Sequence, residues 1–204
     1  GIDAVDHRQN LSESLAGRLL TGGSESRCPA GMIFIEDDQN GFCMDKYEVS
    51  AGDKCPHAQP ASKKQSQENI DDMDCLPVSR AQAVPWVSIS QNQAALACAK
   101  AGKRLPTNEE WHRAALGTPD NKSDWDPEDC QVDRNWPRQP GLTGSGPNCV
   151  SYAGAYDMVG NAWEWVKDSA LDGQVRERNL PPAGYIQEIL ESDGFPSRTG
   201  DTAE

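Results

Sequence analysis

In the segment DAVDHRQNLSESLAGRLL, residues 3–20, Leu11, Leu15 and Leu19 fall four residues apart. Asn10 or Ser12 stands ready as an N-cap, and this spacing predicts a short amphipathic helix. The flexible TGGSES follows, so residues 1–27 read as an N-terminal helical arm and linker. At Cys28 the texture changes and a second region, 28–204, begins. GMIFIED and FCMDKYEVS are short β-prone runs separated by DQNG, whose Asn40-Gly41 pair is a hairpin turn signal. Two paired strands are predicted there. Residues 51–85 are polar, bracketed by cysteines and nearly aperiodic, which predicts a long stapled loop. VSISQNQAALACAKAGKRLPTNEEWHRAALG then predicts two helices. The first spans about 90–101, from a Ser90 cap to Gly102, with Ala94, Ala97 and Cys98 inward. The second opens on a capping box, Thr107 at the N-cap and Glu110 at N3, and stops near Leu116 before Gly117. Residues 118–150 read as loop, and the C-terminal tail is punctuated by Gly and Pro.

Composition narrows the function classes. A formal net charge of −13 repels phosphate backbones and anionic headgroups, which disfavours nucleic-acid and membrane-surface partners. No apolar run approaches the roughly 18 residues of a membrane-spanning helix. The sequence starts at Gly1, which points to an upstream segment removed by processing or design. Seven cysteines contain no CxxC pair, against a zinc ribbon or a thioredoxin-like site. Most lie in loop sequence, as disulfides of an oxidising compartment do. Neighbouring positions pair Cys28 with Cys43, Cys55 with Cys75 and Cys130 with Cys149, leaving Cys98 single; seven reduced thiols are the alternative.

The densest chemistry is YDMVGNAWEWVKD, residues 156–168. Asp157 and Glu164 supply hard carboxylate oxygens, while Gly160 and Ala162 leave their backbone carbonyls open. Calcium accepts such a mixture of side-chain, carbonyl and water oxygens. The competing reading is that Asp157 and Asn161 only cap turns. An extended backbone would send Trp163 and Trp165 to one face, into the core, and Glu164 to the other. His7, His57 and His112 are isolated and are predicted at the surface; Arg104 is expected to pair with Glu109 or Glu110. No GxSxG, Walker or GxGxxG motif occurs. Asn10-Leu-Ser12 and Asn121-Lys-Ser123 match the glycosylation sequon.

AGKRLPTNEEWHRAALG, followed some forty residues later by GAYDMVGNAWEWVKD, closely resembles the formylglycine-generating enzyme family, or sulfatase-modifying-factor domain. GMIFIED with FCMDKYEVS is similar to that family's opening strands, and VPWVSISQNQAALACAKAGKRLPT to its first core helix. The resemblance spans about 28–168. It implies an α+β fold, a variant of the C-type lectin fold with a small irregular sheet, two helices and much loop. It also implies a calcium site: Asp157 and Glu164 through side chains, Gly160 and Ala162 through carbonyls, with Val159 and Asn161 as secondary candidates. The family's catalytic, copper-binding cysteine pair lies downstream of GNxWEW, and here no cysteine follows Cys149. Oxidase chemistry is therefore not expected of this chain alone. The expectation is a non-catalytic binding or surface-assembly protein, secreted, periplasmic or at the cell surface. Its partners would be a protein or glycan, a second chain completing the domain, or neighbouring copies. The alternative is one part of a formylglycine-generating or related oxidase whose cysteines lie on another chain.

Overall fold

The computed structural model describes residues 27–168, apart from 38, 39, 121, 122, 133, 134 and 137, together with short strands at 174–175 and 178–179. The chain divides into two compact units, Gly1–Ala30 and Gly31–Glu204. The helix expected over 3–20 lies outside the described residues.

Strands β1 (Met32–Ile35) and β2 (Phe42–Asp45) pair antiparallel, with Met32 opposite Asp45 and Ile35 opposite Phe42. Asn40 and Gly41 both carry positive φ, 116° and 80°, as the predicted turn requires. An added Cβ at Gly41 would run into the Phe34 ring and the Ile35 carbonyl, so glycine is demanded sterically as well. β3 (Val49–Ala51) pairs antiparallel with β4 (Pro77–Ser79). A third two-stranded ladder joins β5 (Gln174–Val175) to β6 (Arg178–Asn179).

Three helices occur among the described residues: α1 (Lys63–Asp71), α2 (Gln91–Lys100) and α3 (Asn108–Ala115). The last two match their sequence signals closely. Ser90 with Gln93, and Thr107 with Glu110, each form a complete capping box. Ala97 is buried and Ala94 and Cys98 half-buried, so the predicted inward face of α2 is correct. α1 overturns the expectation of an unbroken loop over 51–85. Its buried residues are Ser66 and Asn69, polar side chains that leave no apolar period to read. Ser66 Oγ donates to the Ser88 carbonyl (3.0 Å) and accepts from Trp86 Nε1 (3.0 Å). Asn69 brackets His57, accepting from its amide and donating to its carbonyl, both at 2.8 Å.

Two small cores hold the unit. One joins Ile35 of β1, Ala114 and Ala115 of α3, the Cys130–Cys149 disulfide, Ala155, Met158 and Val159. The other joins Ala51, Cys75 and Trp86, with Cys55, Ile70 and Ile89 packed against them. The Cys55–Cys75 disulfide lies in this second core. Cys28 and Cys43 are also disulfide-bonded, and Cys98 is free. Each core is thus built around a cross-link between loops. Disulfides form and persist outside the reducing cytosol. No helix among the described residues is long and apolar enough to cross a membrane.

Candidate functional site

The loop carrying Asp157 to Glu164 is shaped by residues outside it. A bridge pairs Val150 with Tyr156, and the Tyr156 amide donates to the Lys46 carbonyl at 2.9 Å. Tyr47 and Tyr156 stack with centroids 5.0 Å apart, and a Cβ at Gly144 would come within 2.7 Å of the Tyr47 ring. Glycine at 144 therefore lets its own amide reach the loop. That amide donates to Asp157 Oδ2 at 2.5 Å. Asp157, Gly160 and Asn161 all adopt left-handed φ, 59°, 79° and 57°. A Cβ at Gly160 would collide with the Gln131 carbonyl, so the loop lies directly against the backbone at Gln131.

Burial governs the acidic groups. Asp157 is 1% exposed, and its Oδ1 has no hydrogen-bond partner. Desolvation pushes its carboxyl up to about 6, partly offset by the Gly144 amide and the nearby Gln131 side chain. Gln131 is itself fully buried, with Oε1 unpartnered although Nε2 donates to the Leu142 carbonyl (3.1 Å). Glu164 accepts from Trp111 Nε1 of α3. Its pKa is raised by desolvation and by Asp157, while the indole lowers it. By surface area Glu164 is an exposed residue, so water on its open side limits that rise.

Glu48, in the link between β2 and β3, is a third carboxylate at this place. It is 7% exposed and raised by desolvation first, then by Glu164 and Asp157. Its two oxygens accept from the Asn161 side chain and from the Ala162 amide (3.0 Å). Three acidic groups thus feel one another through the protein, a repulsive arrangement in the absence of a positive charge. Sequence reading placed Asp157, Gly160, Ala162 and Glu164 on one loop but overlooked Glu48, Gln131 and Trp111. For Glu48 a signal existed, an acid interrupting the β-prone run around Tyr47 and Val49. Gln131 lies in loop sequence that offers none.

Two expectations are corrected. Trp163 is 74% exposed, so the indoles do not share a buried face. The backbone at 161–168 is irregular rather than a strand, and alternation has no hold on it. Trp165 is half-buried, donating from Nε1 to the Ile89 carbonyl at 2.9 Å. His112 is buried at 3% exposure rather than on the surface, with Nε2 unpartnered. Burial, with Arg113 adding repulsion, lowers its pKa to about 3, so it packs as a neutral ring on the inner side of α3. His57 keeps a partly open side chain and pairs with Glu68 at 2.6 Å. Arg104 forms a two-pronged pair with Glu110, 2.7 and 2.6 Å, choosing the capping-box residue over Glu109.

A small α+β domain, cross-linked by disulfides and carrying an acidic loop braced by α3, is the class these features define. The profile of the Sulfatase-modifying factor enzyme 1-like domain matches residues 15–180, and the chain belongs to that family. It is 36% identical over 119 residues to the inactive C-alpha-formylglycine-generating enzyme 2 of Bos taurus, covering 50% of this chain and 38% of that protein. The Mus musculus protein of the same name is 34% identical over 118 residues, with the same coverage. The formylglycine-generating enzyme of Bos taurus is 30% identical over 119 residues, covering 49% of this chain and 31% of that protein. The matched region thus spans well under half the length of these relatives. No solved structure matches the chain significantly.

Proposed function

We propose that this chain is a non-catalytic, calcium-stabilised binding or assembly protein on the C-type-lectin-like variant of its family's fold, working outside the cytosol. The observation that carries the non-catalytic reading is the state of the cysteines. Six of the seven are disulfide-bonded and Cys98 is the one free cysteine, so these residues offer no pair of thiolates to a soft ion such as copper. Similarity to relatives named as inactive agrees with this.

Calcium is supported by the buried Asp157 carboxylate, whose Oδ1 has no hydrogen-bond partner, and by Glu164, whose carboxylate feels the charge of Asp157. No three His, Cys, Asp or Glu side chains form a metal-holding group among the described residues. Asp157 and Glu164 would therefore share the ion with the Gly160 and Ala162 carbonyls and with water, a mixture calcium tolerates. Bound there, the ion would neutralise the mutual repulsion of the acids. A protein or glycan partner, a second chain completing the domain, or neighbouring copies would be the target of such a stabilised surface. Similarity to formylglycine-generating enzyme itself favours one second reading, a part of an oxidase whose thiols lie on another polypeptide.

Two measurements test the proposal. Calcium should raise the melting temperature of the purified, unreduced chain, and Asp157→Asn with Glu164→Gln should remove the rise; no rise in the unaltered chain rejects the calcium site. Native mass then separates the readings. A co-purifying chain that brings a reduced cysteine pair establishes the oxidase reading, whereas a chain alone or in copies of itself upholds the binder.

A further inference from the structure

Glu48 lies more than a hundred residues before the acidic loop, yet both its oxygens are spent on that loop. Oε2 takes the Asn161 side-chain amide and Oε1 the Ala162 backbone amide at 3.0 Å. Asn161 is buried at 4% exposure, and its Oδ1 accepts from the Gly141 amide at 2.8 Å. Its own amide donates to the Gln131 carbonyl at 2.8 Å. These peptides are trans, so each N–H and the C=O of the same peptide point to opposite sides. The amide of Asn161, committed to Gln131, turns the Gly160 carbonyl away from Gln131. The amide of Ala162, committed to Glu48, turns the Asn161 carbonyl away from Glu48. Two consecutive carbonyl directions are thereby fixed by partners outside the loop, at two residues with left-handed φ that the bare chain disfavours.

We propose that Glu48 is the positioning residue of the acidic loop: it does not ligate the ion but pins the Asn161–Ala162 peptide, which lies between the Gly160 and Ala162 carbonyls, in the shape that presents those two oxygens to a divalent cation. The inference rests on the calcium reading above. Both Glu48 oxygens already have donors, which leaves the carboxylate better placed to orient the turn than to enter the coordination shell. Buried partners that orient ligands matter to affinity nearly as much as the ligands themselves.

The test uses the full chain, calcium as the probe, and Glu48→Gln, which keeps the shape of the side chain but presents an amide NH2 to one of the two donors. Calorimetric titration of the unaltered chain should show a site, and Glu48→Gln should bind calcium about 10–100-fold more weakly. A Glu48→Gln chain that folds in chelator and binds calcium with unchanged affinity overturns the positioning role while leaving the calcium site intact. No binding by the unaltered chain overturns both. Should Glu48→Gln fail to fold, hydrogen exchange of the unaltered chain decides. The Ala162 amide is expected to be protected in chelator and little changed by calcium. Protection that arises only with calcium overturns the proposal, since the ion and not Glu48 would then be shaping the turn.

Discussion

His112 shows how a single titratable ring can be traced from burial to a measurable slope. In the unfolded chain it takes up a proton near pH 6.5, whereas in the folded chain it stays neutral until about pH 3. The folded value is depressed, so between those limits the unfolded state binds more protons, and stability falls as pH falls through that window. The contribution is at most about 1.4 kcal/mol per pH unit for one proton. Asp157, raised to about 6, works in the opposite sense, because a carboxyl that is easier to protonate when folded gains stability as pH drops from there. Raw pH profiles mix the two. The difference between the unaltered chain and His112→Gln isolates the ring: urea unfolding free energies should diverge in slope between pH 6 and pH 4, the variant losing less on acidification. Parallel profiles would contradict the burial-driven shift.

The helices divide by what kind of signal made them. The Ser90 cap and the Thr107 capping box are written in adjacent residues, and both were legible, whereas the partnership of Ser90 with Gln93 was not read. The hairpin turn at Asn40-Gly41 was legible for the same local reason. α1 was not, because its inner face is polar and its anchors are distant. Beyond the Ser66 and Asn69 contacts, Lys100 of α2 donates to three carbonyls near its C-terminal end, those of Asn69, Ile70 and Asp72, at 3.3, 2.8 and 2.5 Å. That ammonium satisfies acceptors a helix end leaves open and meets the negative end of its dipole. Such cross-helix bonds require the fold before they can be seen. Two substitutions should separate the cases. Thr107→Ala removes a cap that solvent can partly replace and should cost about 1 kcal/mol. Ser66→Ala strands the buried Trp86 Nε1, together with the Ser88 carbonyl, and should cost about 1–3 kcal/mol. Equal costs by chemical denaturation would mean that water enters to replace Ser66.

Family membership could be read from ordered blocks of sequence, and so could the identity of the loop carrying Asp157 to Glu164. The brace that shapes this loop could not, since Glu48, Gln131 and Trp111 reach it from three separate stretches of chain. What replaces a large apolar core is a second feature of the whole unit. The largest fully buried side chains are polar, led by Gln131, Asn69, Thr118 and Thr143, and the apolar cores are mostly alanine and cysteine. Small side chains bury little area each, so cross-links bear a larger share of stability than in an ordinary domain of this length. Cys130 and Cys149 close a segment of 19 residues and are both fully buried against the acidic loop's anchor, Met158 and Val159. Opening such a loop costs about 3 kcal/mol through the unfolded chain alone. Cys55 and Cys75 close a segment of 20 residues in the other core, so that entropic loss is nearly the same. The two bridges differ in what they support. Cys130→Ala with Cys149→Ala should lower stability and also weaken calcium binding, because residues 157–164 lose their footing. Cys55→Ala with Cys75→Ala should lower stability by a similar amount and leave calcium affinity near its original value. Melting curves paired with calcium titrations of both double variants check this, and equal loss of affinity in the two would show that the cores act as one unit.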